Sequence, residues 1–374
     1  MAKTKERTGK RAGEKHPRDG GRAGERTDRN GAGSAGGPEH LVELYRRMVL
    51  VRTFEHACQR SFRKGKIGGY LHLYTGEEAV AAGFLSAFRR GDRVITGYRD
   101  HAHALLLGCE PGAVMAELYG RRDGLVRGKG GSMHLFAVDR GLWGGYGIVG
   151  GHIPLGVGFA YALRYRGTDH ICQLYLGDGA MQAGAFHEAA NLAGLWGADD
   201  RCPVVFIVEN NQYGMGTSVP RATAMTDLAA KFGAYGIDYE KVDGMDLEAV
   251  LGCADRVTRQ VRESGRPYAV EAMTYRLASH GAADFEKYRT KEEVDSWRDR
   301  DPLVLLEHRL REAGAVDDAA VEGIAADVQD EVAAALEFAD ASEPPPIEDL
   351  YTDVYAGADE YLGKSPELMD EEGP

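Results

Sequence analysis

No stretch of this chain approaches the roughly 18 consecutive apolar residues that a membrane-spanning helix requires. No secretory apolar run stands near its start either, so neither a membrane protein nor a secreted one is expected. Cysteine is scarce and scattered: the five, at 58, 109, 172, 202 and 253, form no Cys-x-x-Cys pair. That excludes a disulfide framework and a cysteine-rich zinc site, and it fits a reducing, bacterial-type cytoplasmic setting. Cys172 lies within an apolar run and reads as a small core residue. Large apolar side chains are almost missing from residues 1–37, where ten Lys/Arg and five Asp/Glu stand among many glycines. Such a segment cannot bury a core, and a disordered basic arm is expected over 1–39. Its acids (Glu6, Glu14, Asp19, Glu25, Asp28) argue against an acid-poor transit sequence. The arm carries +5 and the whole chain −13, which leaves −18 on the remainder and excludes nucleic-acid binding by the folded body.

What is present is an alternation of short apolar runs and helical patterns. Apolar spacing predicts a helix over 41–62, a second over 77–88 behind Gly76, a short strand at 94–96 and a third helix over 111–119. Residues 120–151 are glycine-rich and aperiodic, and read as a long loop of the kind that carries function. A helix over 154–165, with Pro154 near its start, precedes strands at 171–176 and 203–208 with a helix over 183–196 between them. Further strands are expected at 237–242 and 268–273, with a helix over 247–263 between them. Residues 292–340 read as helical and charged until Pro344-Pro345-Pro346 ends them. This alternation predicts an α/β protein: a mostly parallel sheet, helices on both faces and a helical C-terminal part. One domain over 40–355 and an acidic flexible tail over 356–374 are expected.

The chemistry gathers at two strand ends. Gly177-Asp178-Gly179 follows the run at 171–176, and Asn210-Asn211 follows the run at 203–208. A strand, helix and strand in that interval form one right-handed crossover, so the strands lie parallel and both ends face one crevice, where open α/β sheets bind ligands. A carboxylate and a carboxamide there offer Mg²⁺ two oxygen ligands, phosphate and carbonyl oxygens supplying others. Glycines beside Asp178 admit a bulky anion, and the following helix points its N-terminus at it. The alternative is a plain turn, which the same residue types favour. Arg99, behind Tyr98 at another strand end, can clamp a phosphate with two hydrogen bonds, although a surface ion pair is the commoner fate of arginine.

Two glycine patterns compete. Gly145-Tyr146-Gly147-Ile148-Val149-Gly150 matches the dinucleotide fingerprint, but residues 139–144 show no strand run ahead of it and the next strand-end acid stands some 28 residues on. The stretch Gly124 to Gly130 has the glycines and lysine of a P-loop at the wrong spacing, with no Ser/Thr after Lys129. His101 and His103 point apart on a helix and do not read as a metal pair.

Six motifs then occur in order: His-Leu-Tyr-Thr-Gly-Glu-Glu-Ala (72–79), Gly-Tyr-Arg-Asp-His (97–101), Gly-Lys-Gly-Gly-Ser-Met-His (128–134), Gly-Ile-Val-Gly (147–150), Glu-Asn-Asn-Gln-Tyr-Gly-Met-Gly-Thr (209–217) and Tyr-Arg…His (275–280). Together with Gly-Asp-Gly they resemble the alpha subunits of thiamine-diphosphate-dependent 2-oxo acid dehydrogenases, of the pyruvate type, over roughly residues 41–355. The resemblance implies the thiamin diphosphate-binding fold, with thiamine diphosphate and Mg²⁺ as cofactors. It implies metal ligation by Asp178, Asn211 and the Tyr213 carbonyl. It implies cofactor contacts from Tyr98, Arg99, Ala137, Gly147, Val149, Gly179, Ala180 and His280, with His134 in the cofactor loop. His280 is implied in proton transfer during acyl transfer, work that suits an imidazole, and His72 lies near the substrate. Otherwise each is a structural histidine.

The implied partners are a beta subunit in an α₂β₂ heterotetramer, a 2-oxo acid and the lipoyl domain of a dihydrolipoamide acyltransferase. The implied reaction is oxidative decarboxylation of pyruvate with reductive acetylation of the lipoyl group. Acetoin and branched-chain 2-oxo acid dehydrogenases are the nearest alternatives, and a nicotinamide dehydrogenase or a non-catalytic paralogue the remoter ones. The chain departs from the pattern where regulated relatives carry a phosphorylated serine. Gly281 stands there, so kinase control at that position is not expected. Residues 197–201 lengthen the Asp–Asn spacing as a surface bulge.

Overall fold

The computed structural model describes residues 37–353. The expected basic arm and acidic tail lie almost wholly outside these residues.

Six strands form one sheet in the order β2-β1-β3-β4-β8-β7, and every neighbouring pair is parallel. The strands are β1 (Arg93–Gly97), β2 (Leu142–Tyr146), β3 (Cys172–Gly177), β4 (Val204–Asn210), β7 (Asp238–Asp243) and β8 (Tyr268–Met273). A two-stranded antiparallel ribbon, β5 (Tyr213–Gly214) with β6 (Thr217–Ser218), follows β4. The central strands are buried on both faces, which explains their continuous apolar runs. Tyr175, Val205, Ile207 and Val270 enter one core, and Leu174, Leu176, Phe206 and Val208 enter the other. The edge strand β7 is Asp-Tyr-Glu-Lys-Val-Asp and half exposed, a charged edge that discourages pairing with other chains.

Helices cover both faces. On the first lie α1 (Pro38–Arg63), α2 (Glu78–Ser86), α3 (His101–Leu106) and α4 (Pro111–Leu118), and on the second α5 (His152–Tyr165) and α6 (Gly184–Gly197). Two single turns, α7 (Val219–Ala222) and α8 (Ala230–Gly233), lead to α9 (Leu247–Ser264), which packs on α2. Asp246 caps α9 by accepting from the amides of Glu248 and Ala249, and Gly265 ends it at φ +69°. The C-terminal part is α10 (Lys291–Arg298), α11 (Pro302–Glu312) and α12 (Asp318–Ala341), the last lying against α4 and α1. No helix among the described residues is long and apolar enough to cross a membrane.

The expected elements are all present; β2, α3, the β5–β6 ribbon and the single turns α7 and α8 were missed. The segment read as an aperiodic loop contains β2. Its sequence, Leu-Trp-Gly-Gly-Tyr, is broken by two glycines because two neighbours crowd the backbone. A Cβ at Gly144 would meet the Phe136 ring at 2.3 Å, and one at Gly145 would meet the Asp100 carboxylate at 1.8 Å. The short helix α3 is buried throughout, so its apolar face cannot be told from its surroundings by period. Helix α1 begins at Pro38, two residues before the expected boundary. Residues 198–201 form the exposed turn expected there, with Asp200 at φ +57°.

The chain enters the sheet at β1, moves outward to β2, then returns to β3 on the other side of β1. Strand order therefore reverses beside β1, and the crevice at the carboxyl ends of β1, β3 and β4 is where such sheets take ligands.

Candidate active site

Asp178 and Asn211 follow the ends of neighbouring parallel strands whose register pairs Gly177 with Glu209. Both are buried, and both line one cavity of about 530 Å³. Asp178 opens a tight turn over Asp178–Gln182, and its backbone approach is very close. A Cβ on Gly179 would lie 3.0 Å from the Cα of Gly214, so a side chain at either position would push the two backbones apart. Burial pushes the Asp178 carboxyl up to about 7, against the Gly179 amide and the charge of Arg276. Asn211 donates its amide nitrogen to Glu77 Oε1 at 3.1 Å, and its buried Oδ1 has no partner. A buried acid and an unpaired amide oxygen lining one cavity are a donor set suited to a hard divalent cation.

The turn after Asn211 is held in sparsely populated backbone space, Gln212 at φ +76° and Met215 at φ +57°. Arg276 fastens it by donating to the carbonyls of Tyr213 at 3.3 Å and Met215 at 3.0 Å. The Tyr213 carbonyl, expected as a metal ligand, thus already accepts one hydrogen bond and keeps a second lone pair. The Tyr213 hydroxyl donates to Glu293.

Arg99 lines the cavity but is not a free fork. Nη1 donates to the Leu73 carbonyl at 2.6 Å, Nη2 to the His280 carbonyl at 3.1 Å, and Nε lies 3.5 Å from Glu77 Oε2. A phosphate would have to use the single N–H left on each terminal nitrogen. Three rings cluster in the lining: His72 stands 4.4 Å from Tyr98 and 5.1 Å from His280, centroid to centroid. Burial, then the charge of Arg99, pushes the His72 imidazole down to about 2 and that of His280 down to about 3. Both rings are therefore neutral and able to accept a proton only when an anion or a substrate group compensates.

Gly147, Val149 and Ala180 also line the cavity. Ala137 does not. It is buried under the loop, where its amide and carbonyl both pair with Leu142. His134 stands beside the lining, its Nδ1 3.1 Å from the Gly145 carbonyl. His101 and His103 do point apart: His101 bonds Glu55 and Ser132, whereas His103 packs against Tyr74 and Tyr175.

Three residues escaped sequence reasoning. Glu77 orients Asn211. Glu209, pushed up to about 8 by burial and by Glu77, bonds the Tyr74 hydroxyl at the cavity floor. Arg276 is fully buried with Nε and Nη1 unpaired. Its place in Tyr275-Arg276, a motif used only to locate His280, was the available signal.

The dinucleotide pattern needs a correction. A strand, β2, does precede the glycines. Gly145 lies inside it, however, and β1 separates β2 from β3, so β2–α5–β3 is not a unit of adjacent strands. Gly147 and Val149 serve the same cavity as Asp178.

A parallel sheet whose carboxyl edge brings a buried acid, an unpaired amide oxygen and a buried arginine to one cavity has the ligand crevice of the open α/β enzymes. The profile of the dehydrogenase E1 component family matches residues 46–348. The pyruvate dehydrogenase E1 component subunit alpha of Rickettsia felis is 44% identical over 317 residues, 85% of this chain and 96% of that protein. The subunit of the same name from Rhizobium meliloti is 44% identical over 314 residues, 84% of this chain and 89% of that one. A chloroplastic rice relative, pyruvate dehydrogenase E1 component subunit alpha-3, is 38% identical over 335 residues, 87% and 78% of the two chains. The chain belongs to the dehydrogenase E1 component family and so to the thiamine-diphosphate-dependent 2-oxo acid dehydrogenases.

Proposed function

We infer that this chain is the alpha subunit of a pyruvate dehydrogenase, acting with a beta subunit as an α₂β₂ heterotetramer. It would decarboxylate pyruvate and pass the acetyl group to the lipoyl domain of a dihydrolipoamide acyltransferase. The names of its relatives support the substrate and the need for a beta subunit. The observation that carries the reading is the Asp178–Asn211 pair, with its unpaired amide oxygen, at the ends of adjacent strands.

When bound, thiamine diphosphate supplies the carbanion stabilisation that makes loss of CO₂ from a 2-oxo acid possible. The chain's own groups bind and orient. Asp178, Asn211 Oδ1 and the second lone pair of the Tyr213 carbonyl would hold Mg²⁺, and Glu77 keeps the amide oxygen free for it. The free N–H groups of Arg99 would neutralise the diphosphate, while Arg276, behind the lining, would hold the Tyr213 carbonyl in place. Gly179 and Ala180 leave backbone room beside it, and Gly147 and Val149 lie where the ring system would rest. His280, neutral and in the cavity lining, would take and return a proton as the acyl group leaves, with His72 and Tyr98 holding its ring.

The test is turnover of the chain reconstituted with its beta subunit, comparing kcat/KM for pyruvate, acetoin and 3-methyl-2-oxobutanoate. Pyruvate should be preferred. Preference for another substrate would refute the pyruvate assignment, and turnover by the alpha chain alone would refute the shared site.

A further inference from the structure

The glycine-rich stretch from Gly124 to Gly130, rejected as a P-loop, continues to Gly131, and the structure shows what its amides hold. Glu117, on α4 and fully buried, turns its carboxylate into the loop. Oε2 accepts from the amides of Val126 at 2.9 Å and Gly128 at 2.8 Å, and Oε1 from those of Gly130 at 2.7 Å and Gly131 at 3.1 Å. The backbone is bent for this purpose: Arg127, Gly128 and Gly131 have φ of +61°, +77° and +60°. Gly124 leaves the room, since a Cβ there would lie 2.4 Å from Glu117 Oε2. This is an anion nest of successive amides filled by the protein's own carboxylate.

The loop then runs directly to the active cavity. Just beyond the nest, Ser132 is held by His101 Nε2 at 2.9 Å and the Leu135 amide by Asp100 Oδ2 at 3.0 Å. Between these two fastenings stands Met133, which lines the cavity beside Gly147. We propose that Glu117 is a positioning residue for the reaction: it orders the Gly124–Gly131 nest and so sets the wall that Met133 contributes to the cofactor cavity. It touches neither cofactor nor substrate. The link to catalysis rests on the functional reading above, whereas the link to loop order does not.

The experiment uses the reconstituted α₂β₂ enzyme with wild-type chain, Glu117→Ala and Glu117→Gln, followed by hydrogen exchange and by kinetics against thiamine diphosphate. Four charge-assisted bonds vanish in Glu117→Ala, so the amides of 126, 128, 130 and 131 should exchange at least about tenfold faster while β3 and β4 stay protected. The KM for thiamine diphosphate should rise about tenfold, the scale of lost supporting contacts, with kcat changed less than about twofold at saturation. Sodium acetate should restore both the protection and the KM of Glu117→Ala. Glu117→Gln, with one acceptor oxygen, should fall between, and it carries the test if the alanine variant does not fold. Unchanged exchange at the four amides would overturn the proposal, as would faster exchange with an unchanged cofactor KM. A wild-type enzyme indifferent to thiamine diphosphate would refute the functional reading, and the exchange pattern would still decide whether Glu117 orders the loop.

Discussion

Asn211 reaches across to Glu77 and donates its side-chain amide to Oε1 at 3.1 Å, joining the end of β4 to the start of α2. The carboxylate, opposite Arg99, fixes the amide with nitrogen toward α2 and oxygen left over. Replacing Glu77 by Gln supplies a group that can both donate and accept, so the orientation is no longer enforced. Glu77→Gln should weaken Mg²⁺ activation by about 10- to 100-fold, the usual cost of losing a group that orients a ligand. Titrating activity against Mg²⁺ measures it. An unchanged midpoint would mean Asn211 is oriented by something else.

Arg276 holds two carbonyls of the strained turn over 212–215 and keeps two donors open in a fully buried position. Lysine carries the charge but not the planar fork. Arg276→Lys should therefore raise the KM for thiamine diphosphate by about tenfold or more, roughly 1.4 kcal/mol of binding. The variant's cofactor titration checks this, and a wild-type KM would remove Arg276 from the site.

His72 and His280 set a pH dependence. In the cofactor-free protein their imidazoles are held down, to about 2 and about 3, while in the unfolded chain they titrate near the ordinary histidine value. The unfolded state binds the extra protons, so stability is intact above that value and declines as pH falls below it toward the folded values. At pH 5 each histidine should cost about 2 kcal/mol of stability, and His72→Gln should flatten the acid limb. Urea unfolding of the wild-type chain and the variant at pH 7.5 and 5 reports the difference; equal slopes would contradict it.

Away from the site, Arg262 on α9 pairs with buried Asp92, which also accepts the Ile171 amide at 3.0 Å, at the opening of β1 and β3. Arg262→Ala leaves the buried acid without its arginine, and should cost about 3–5 kcal/mol with little effect on cofactor KM. Denaturant midpoints test it.

Strand ends were legible in the sequence because parallel strands buried on both faces leave continuous apolar runs, and Asp178 and Asn211 sit immediately beyond two of them. Strand β2 was not legible, since the close approaches of Phe136 and Asp100 force glycine into it. Arg99 was recognisable as a site residue, but its bonds to Leu73 and His280 join segments far apart in the chain and leave no local pattern. Glu77, Glu209 and Arg276 stayed hidden for the same reason: their roles arise from burial beside distant partners. Ala137 was assigned to the cofactor by resemblance, yet its backbone is engaged with Leu142.

The central claim is that Asp178 and Asn211 together grip a divalent ion beneath a diphosphate. The most direct measurement is calorimetric titration of thiamine diphosphate into the reconstituted enzyme with and without Mg²⁺, for the wild type and Asp178→Ala. The account predicts binding that requires Mg²⁺ in the wild type and weakens by about 100-fold or more in the variant. Tight binding without the metal, or equal affinity in Asp178→Ala, would contradict it.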